Sequence, residues 1–244
     1  MTLDVEDFYE GMAVLGASVD PPRGCRSDLT GFLDELSARS SGARLTLFVV
    51  ADYVARTPEV RIALERFCTA GHEIACHGQD HGRLPDTGLV PWLRKGREML
   101  EDTFQVSVRG FRSPRFDIAT HGDLARYREE LAAAGYEYVS DDSLLGSGAA
   151  VLEFPVLRWR GVRIGGGSYQ RLIPSNVVAG SVRRSSTPAV CYYHSYDFDG
   201  SIPGIGSVRS AALARQVIGR KRIPPAFWRL LRRFGSVTCA RAAR

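Results

Sequence analysis

Short blocks of β-forming apolar residues alternate with longer stretches whose apolar positions recur at helical spacing. Met1 to Val5 is a short apolar start that runs into acids. In Asp28 to Ser37 the apolar residues Leu29, Phe32, Leu33 and Leu36 share one helical face. Arg44 to Val50 reads as a buried strand, and Pro58 to Ala70 as a helix with proline in its first turn and Gly71 as its stop. His72 to Cys76 predicts a strand, Pro91 to Phe104 a helix and Val106 to Phe111 a strand. A helix over His121 to Ala134 stops at Gly135 and is followed by a strand over Tyr136 to Ser140. Beyond this, Val151 to Val156, Val162 to Ile164 and Ala189 to His194 read as strands, with Gly165, Gly166 and Gly167 as a loop. Ser207 to Gly219 and Pro225 to Phe234 read as helices. Repeated β–α alternation predicts an α/β fold with a parallel sheet, closed or nearly so.

Composition narrows the class. The 244 residues are 44% hydrophobic and 24% charged, ordinary for a soluble globular protein, and their even texture predicts one domain over 1–244. Five cysteines, an odd number with no CxxC pair, read as a reduced set rather than a disulfide framework. Charged residues begin at Asp4, which does not suit a secretory leader, and no apolar run reaches the roughly 18 residues that span a bilayer. A cytoplasmic location is therefore expected. The net charge is +5, with many arginines near the C-terminus, among them Arg229, Arg232 and Arg233. No aromatic interleaving marks a nucleic-acid surface, so a solvated basic helix is the simpler reading.

Polar residues gather where the expected strands end, which is where parallel barrels carry their chemistry. After the first strand comes Asp4-Val-Glu6-Asp7, acids that repel one another unless a cation or a general-base role separates them. After Cys76 comes His77-Gly-Gln-Asp-His81, two imidazoles at i, i+4 that with one carboxylate make a borderline-hard metal site with open positions. Arg112-Ser-Pro114-Arg-Phe116 follows the next strand, where an arginine stiffened by proline can orient a carboxylate. Tyr193-His194-Ser195-Tyr196-Asp197 ends the last strand, placing a histidine to give a proton to a leaving amine. Each piece alone has an ordinary reading as a loop or a satisfied core histidine. No Gly-x-Ser-x-Gly elbow supplies a covalent nucleophile.

Taken in order, these pieces resemble the polysaccharide deacetylases with the NodB homology domain (carbohydrate esterase family four). The motifs are Thr2-Leu-Asp4-Val-Glu-Asp7-Phe8, His77-xxx-His81, Gly110-Phe-Arg112-Ser-Pro114 and Tyr193-His194, with Thr46-Leu-Phe48-Val-Val50 and Gly71-His-Glu-Ile74 as lead-ins. The branch with a DVED opening is most similar, and its glycine-rich turn into Arg-Leu-Leu-Pro corresponds to Gly165 to Pro174. The resemblance implies a distorted parallel (β/α) barrel of seven strands and one divalent metal ion. Zinc suits the donors best, with cobalt, iron, nickel or manganese also able to serve.

It also implies roles: Asp4 as catalytic base, Asp7, His77 and His81 as metal ligands, Arg112 orienting the base, His194 as catalytic acid and Asp141 as the aspartate that tunes it. Pro114, Phe116, Tyr169, Arg171 and Tyr196 are the candidate substrate contacts. Departures leave two points open. Val5 and Glu6 intervene between the usual adjacent aspartates, so Glu6 is an alternative ligand to Asp7, and Asp142 an alternative to Asp141. Gly78 and Ser195 stand where the pattern has Ser or Thr and, in the similar branch, proline. The expected reaction is hydrolysis of an N-acetylated amino sugar to amine and acetate. No nucleic acid is expected as a partner; the basic C-terminal segment suits peripheral contact with an anionic membrane or carrier. A linear or cyclic non-sugar amide, or a catalytically silent carbohydrate-binding module, are the competing readings.

Overall fold

The structure, a computed structural model, describes residues 1–9, 28–116, 123–141, 151–200 and 218–243. The strands of the main sheet are β1 (Thr2–Val5), β2 (Thr46–Val49), β3 (Glu73–Cys76), β4 (Gly110–Phe111), β5 (Tyr138–Val139), β6 (Leu152–Glu153) and, after a separate hairpin β7 (Arg158–Trp159) and β8 (Val162–Arg163), β9 (Tyr192–His194). The seven run in the order β6-β5-β4-β3-β2-β1-β9, and every pair is parallel. The gap between the two edges is bridged where Val156 pairs with Val190 and Gly166 with Tyr192. The expected seven-stranded distorted barrel is what forms.

Side chains alternate across the strands, as a pleat requires. Leu3, Val5, Leu47, Val49, Ile74, Cys76, Phe111, Val139 and Tyr193 face one way and join the large core beneath the helices. Phe48, Ala75 and Tyr138 face the other way and pack with Phe154, Val190 and Cys239 inside the curl of the sheet. The helices that cover the outer face are amphipathic. In α1 (Leu29–Arg39) the buried residues are Leu29, Phe32, Leu33 and Leu36, the face the spacing predicts, and Asp28 caps it by accepting the Gly31 amide at 2.8 Å. After a short α2 (Ala51–Arg56) come α3 (Pro58–Thr69), with proline at its start, α4 (Leu89–Phe104) and α5 (Leu124–Ala133). Later helices are α6 (Gly167–Gln170), α7 (Ser175–Arg184), α8 (Ile223–Phe234) and α9 (Cys239–Ala242).

Several expectations change. The strands are shorter than their apolar blocks, because only part of each block finds a partner ladder. The glycine loop runs directly into α6, and its glycines serve closure: a Cβ at Gly165 would lie 2.5 Å from the Val190 carbonyl, and one at Gly166 would meet the Tyr192 ring at 2.5 Å. The hairpin strand β7 and the helices α2 and α7 carry little periodic signal. α7 is rich in valine and serine, poor helix formers, and is held by burial of Val178 and Ala179. The helix expected over Ser207 to Gly219 lies outside the described residues except for 218–219.

At the end of the curl where the strands begin, α9 packs inside it. Thr46 Oγ1 accepts the amide of Cys239 at 2.8 Å and donates to Glu73 Oε2 at 2.7 Å. Glu73 also accepts the Ala240 amide at 3.1 Å and the Tyr138 hydroxyl at 2.8 Å. This leaves the opposite end, where the strands finish, to carry chemistry.

Candidate active site and metal centre

β1 and β9 are neighbours in register, with Asp4 opposite His194. Two residues beyond Asp4, Glu6 continues the alternation of β1 and projects the same way. Glu6 Oε2 lies 2.5 Å from His81 Nε2 and 3.4 Å from His77 Nε2, and all three residues are buried. Their ligand atoms lie within 4.8 Å of one another. Asp7, expected as the third ligand, is not in this group: its Oδ1 accepts the Tyr9 amide at 2.8 Å in a tight local turn. Glu6, the alternative ligand, takes that place beside the two histidines.

The donor set suits a divalent cation. His77 Nδ1 faces the Arg112 carbonyl at 2.9 Å, so Nδ1 carries the proton and the Nε2 lone pair points at Glu6 and His81. Two imidazole nitrogens and one carboxylate form a borderline-hard site with open positions. Burial alone would raise the Glu6 carboxyl, but His81, His77 and His194 together hold it well below its usual range, so it is available as an anionic ligand. Gly78, between the histidines, has φ of +95°, and a Cβ there would lie 2.8 Å from both the Asp80 carbonyl and the Trp92 ring. A Ser or Thr at this position would be strained.

On one side of this group stands Asp4. Arg112, wholly buried at the end of β4, donates Nη1 to Asp4 Oδ1 at 2.5 Å and to Thr2 Oγ1 at 3.0 Å. Its Nε and Nη2 go to the Ser140 carbonyl and hydroxyl at 2.9 and 2.7 Å. The guanidinium stacks 4.0 Å from the Phe48 ring centre. With every nitrogen engaged, it can only hold the Asp4 carboxylate in one orientation.

On the other side stands His194, whose Nε2 is 3.8 Å from Glu6 Oε1. Its partner is Asp197, not Asp141. Asp197 Oδ2 accepts the His194 amide at 3.0 Å and lies 3.2 Å from Nδ1, while Asp197 Oδ1 takes Arg171 Nη2 at 2.9 Å. Burial would lower the His194 pKa, but the hydrogen bond to Asp197 and the charges of Glu6, Asp197 and Asp4 raise it above its ordinary value. Nδ1 faces Asp197, which leaves Nε2 turned towards Glu6. Asp141 sits at the end of β5 and turns to the Arg112 loop, where its Oδ1 accepts the Ser113 hydroxyl at 2.7 Å and the Ser113 amide at 3.2 Å. Burial pushes its carboxyl up to about 7, against the pull of Ser113 and Arg112.

The candidate substrate contacts divide. Pro114 is buried behind Gly78. Arg171 is buried with Asp197, and Tyr196 is buried face to face on His194, ring centres 4.7 Å apart and 7° from parallel. These three shape the site from behind. Phe116 and Tyr169 remain at the surface. Asp197 and Arg171 as a pair escaped sequence reasoning; the His-x-x-Asp spacing was the available signal, and it had meaning only once a 3₁₀ turn over Ser195–Phe198 followed the strand.

Residues 134–244 match the family model described as a domain of unknown function, DUF3473. No curated protein matches the chain. Among solved structures, the chain is similar to a protein assigned as a polysaccharide deacetylase from Mycobacterium smegmatis. Identity is 20% and the TM-score 0.58, with 88% of this chain and 74% of that one covered. It is also similar to the polysaccharide deacetylase Bc1974 from Bacillus cereus, with 13% identity, TM-score 0.51 and 96% and 87% of the two chains covered. A third match is a CE4 family pseudoenzyme, BA3943, from Bacillus anthracis, with 12% identity, TM-score 0.50 and 100% and 64% covered. At these identities the likeness is one of fold.

Proposed function

On the fold of the polysaccharide deacetylases, we propose that this chain is a metal-dependent hydrolase that removes the acetyl group from the nitrogen of an amino sugar. The observation that carries the reading is the buried Glu6–His77–His81 group, flanked by a restrained carboxylate, Asp4, and by a histidine held as a proton donor, His194. A structural ion-pair network has no need of two histidine Nε2 atoms converging on one carboxylate.

Glu6, His77 and His81 would hold the cation, and zinc fits these donors, as would cobalt, iron, nickel or manganese. When bound, such an ion supplies Lewis acidity to an amide carbonyl and lowers the pKa of water. Asp4 takes the proton of the attacking water. Arg112 keeps that carboxylate aimed, because its other hydrogen bonds lock the guanidinium to Thr2 and Ser140. His194 gives its proton to the departing nitrogen. Asp197, itself held by Arg171, fixes the tautomer that leaves Nε2 to do so. Acetate and a free amine leave, with no covalent enzyme intermediate.

Acetate release is measured from free, nucleotide-linked and oligomeric N-acetylated amino sugars, with and without chelator, beside His77→Ala and Asp4→Asn. Release that chelator abolishes and both variants lack is the expected result. Metal-loaded protein that releases acetate from none of these sugars would overturn the deacetylase reading and leave a non-sugar amide or a silent binding module.

A further inference from the structure

The stretch 154–196 contains no Asp or Glu and six arginines: Arg158, Arg160, Arg163, Arg171, Arg183 and Arg184. It supplies the hairpin β7–β8 and the helix α6, which flank the aromatic surface beside the site. Arg163, at the end of β8, lies with Cζ 5.0 Å from the Phe116 ring centre and 5.6 Å from that of Tyr169, which is 37% exposed. From Phe116 a line of rings leads to the acid: Phe116 to Tyr192 is 4.9 Å, and Tyr192 to His194 is 5.6 Å. Arg112 lies behind the same rings, 5.7 Å from Phe116 and 5.6 Å from Tyr192, with its donors engaged inside the barrel.

Phe116 is held in this wall at a backbone cost. Arg115 and Phe116 both have positive φ, +64° and +58°, and the Phe116 amide donates to the Ser113 carbonyl at 3.1 Å. Two successive non-glycine residues in the left-handed region are uncommon and concentrate where a side chain must be presented. The same hairpin carries Trp159, 45% exposed, with Arg160 5.0 Å over its ring. Aromatic faces suit the C–H faces of pyranose rings, and a guanidinium beside them selects an anion. Arg171 is neutralised by Asp197, so the charge beside these rings is that of Arg160 and Arg163 on the hairpin, which favours negative ligands.

Resting on the deacetylase reading, we infer that the substrate is an anionic saccharide. The acetamido sugar at the metal group is joined to a unit bearing carboxylate or phosphate, which Arg163 receives between Phe116 and Tyr169. The charge that matters is on the glycan itself, adjacent to the sugar being deacetylated.

The test is calorimetric binding to metal-loaded protein carrying Asp4→Asn, which removes turnover. The ligands are acetamido oligosaccharides of one length: neutral, with alternating uronate, or phosphate-bearing. Arg163→Gln is compared with Arg66→Gln, which removes a charge from α3. Tighter binding of the uronate or the phosphate ligand by about tenfold over the neutral one is expected, with the stronger of the two naming the anion. The advantage shrinks as salt is raised and is lost with Arg163→Gln but not with Arg66→Gln. Equal binding of charged and neutral ligands overturns the inference, as does an equal loss in both variants, which would make the effect diffuse charge. Arg163-dependent binding to anionic lipid vesicles without preference among the saccharides would also overturn it. A preference for acidic ligands in protein whose wild type releases no acetate would uphold the anion site and sink the deacetylase reading instead.

Discussion

Replacing Arg112 with leucine tests whether the buried pair with Asp4 is a restraint on the fold as well as on the site. Both side chains are sealed from water, and the guanidinium makes four hydrogen bonds, to Asp4, to Thr2 and twice to Ser140. Leucine leaves a buried carboxylate with no cation, a loss of about 3–5 kcal/mol. The Ser140 carbonyl also loses a donor, which adds about 1 kcal/mol. Ser140 Oγ keeps its own bond to the Phe154 carbonyl, so the hydroxyl adds little. The expected loss is about 5 kcal/mol, comparable with the whole stability of a modest domain. At about 2–4 °C per kcal/mol for a chain of this size, that lowers Tm by about 10–20 °C. Urea unfolding followed by far-UV circular dichroism gives the difference directly. The double variant Arg112→Leu with Asp4→Leu should recover much of the loss, because an apolar pair needs no compensation, while remaining inactive. A single variant that costs under about 1 kcal/mol, or a double variant no better than the single one, would refute the idea that these charges are desolvated partners.

Glu6→Gln should lower zinc affinity and chelator-sensitive activity at least as far as His81→Ala does, about a hundredfold or more, whereas Asp7→Asn leaves metal content intact; the reverse ranking by equilibrium dialysis would return the ligand role to Asp7. His194 must be protonated to act as acid, so activity is present below its raised pKa and lost as pH rises through it. Asp197→Asn should move that alkaline limb of kcat/KM to lower pH, and an unmoved limb would show that Asp197 does not govern the proton. His72 accepts the Leu45 amide on Nδ1 and is held down to about 4 by burial and by Arg44, below its ordinary value near 6.5. The unfolded chain therefore binds the extra proton first, so stability is fully present above about pH 6.5 and declines as pH falls toward 4. His72→Gln should flatten that slope in urea midpoints, and an unchanged slope would assign it to other groups.

Much of this was legible because strand ends and histidine spacing are local signals. His77 and His81 follow an apolar block directly, and the apolar face of α1 follows from its i, i+3, i+4 spacing. Glu6 was legible too, had the two-residue period of Thr2 and Asp4 been carried one step past the strand. The family-like aspartate position weighed in favour of Asp7, whereas the structure brings Glu6 to His77 and His81. Asp197 and Arg171 were not legible in the same way. They lie 26 residues apart and meet only because α6 packs against β9. Asp141 was expected as the partner of His194 from the family resemblance, yet β5 lies on the side of the sheet that serves the Arg112 loop.

β1 lies between β2 and β9, so the first of the described strands has for one of its neighbours the last of them. As the chain leaves the ribosome, Asp4 and Glu6 emerge nearly two hundred residues of synthesis before His194. Closing so long a loop is slow, and until it closes one ladder edge of β1 stands open. A half-made chain can thus gather Glu6, His77 and His81, yet it lacks His194 and the Asp197 that holds it. The two halves of the site thus form at separate times, and the group is complete only when β9 joins β1.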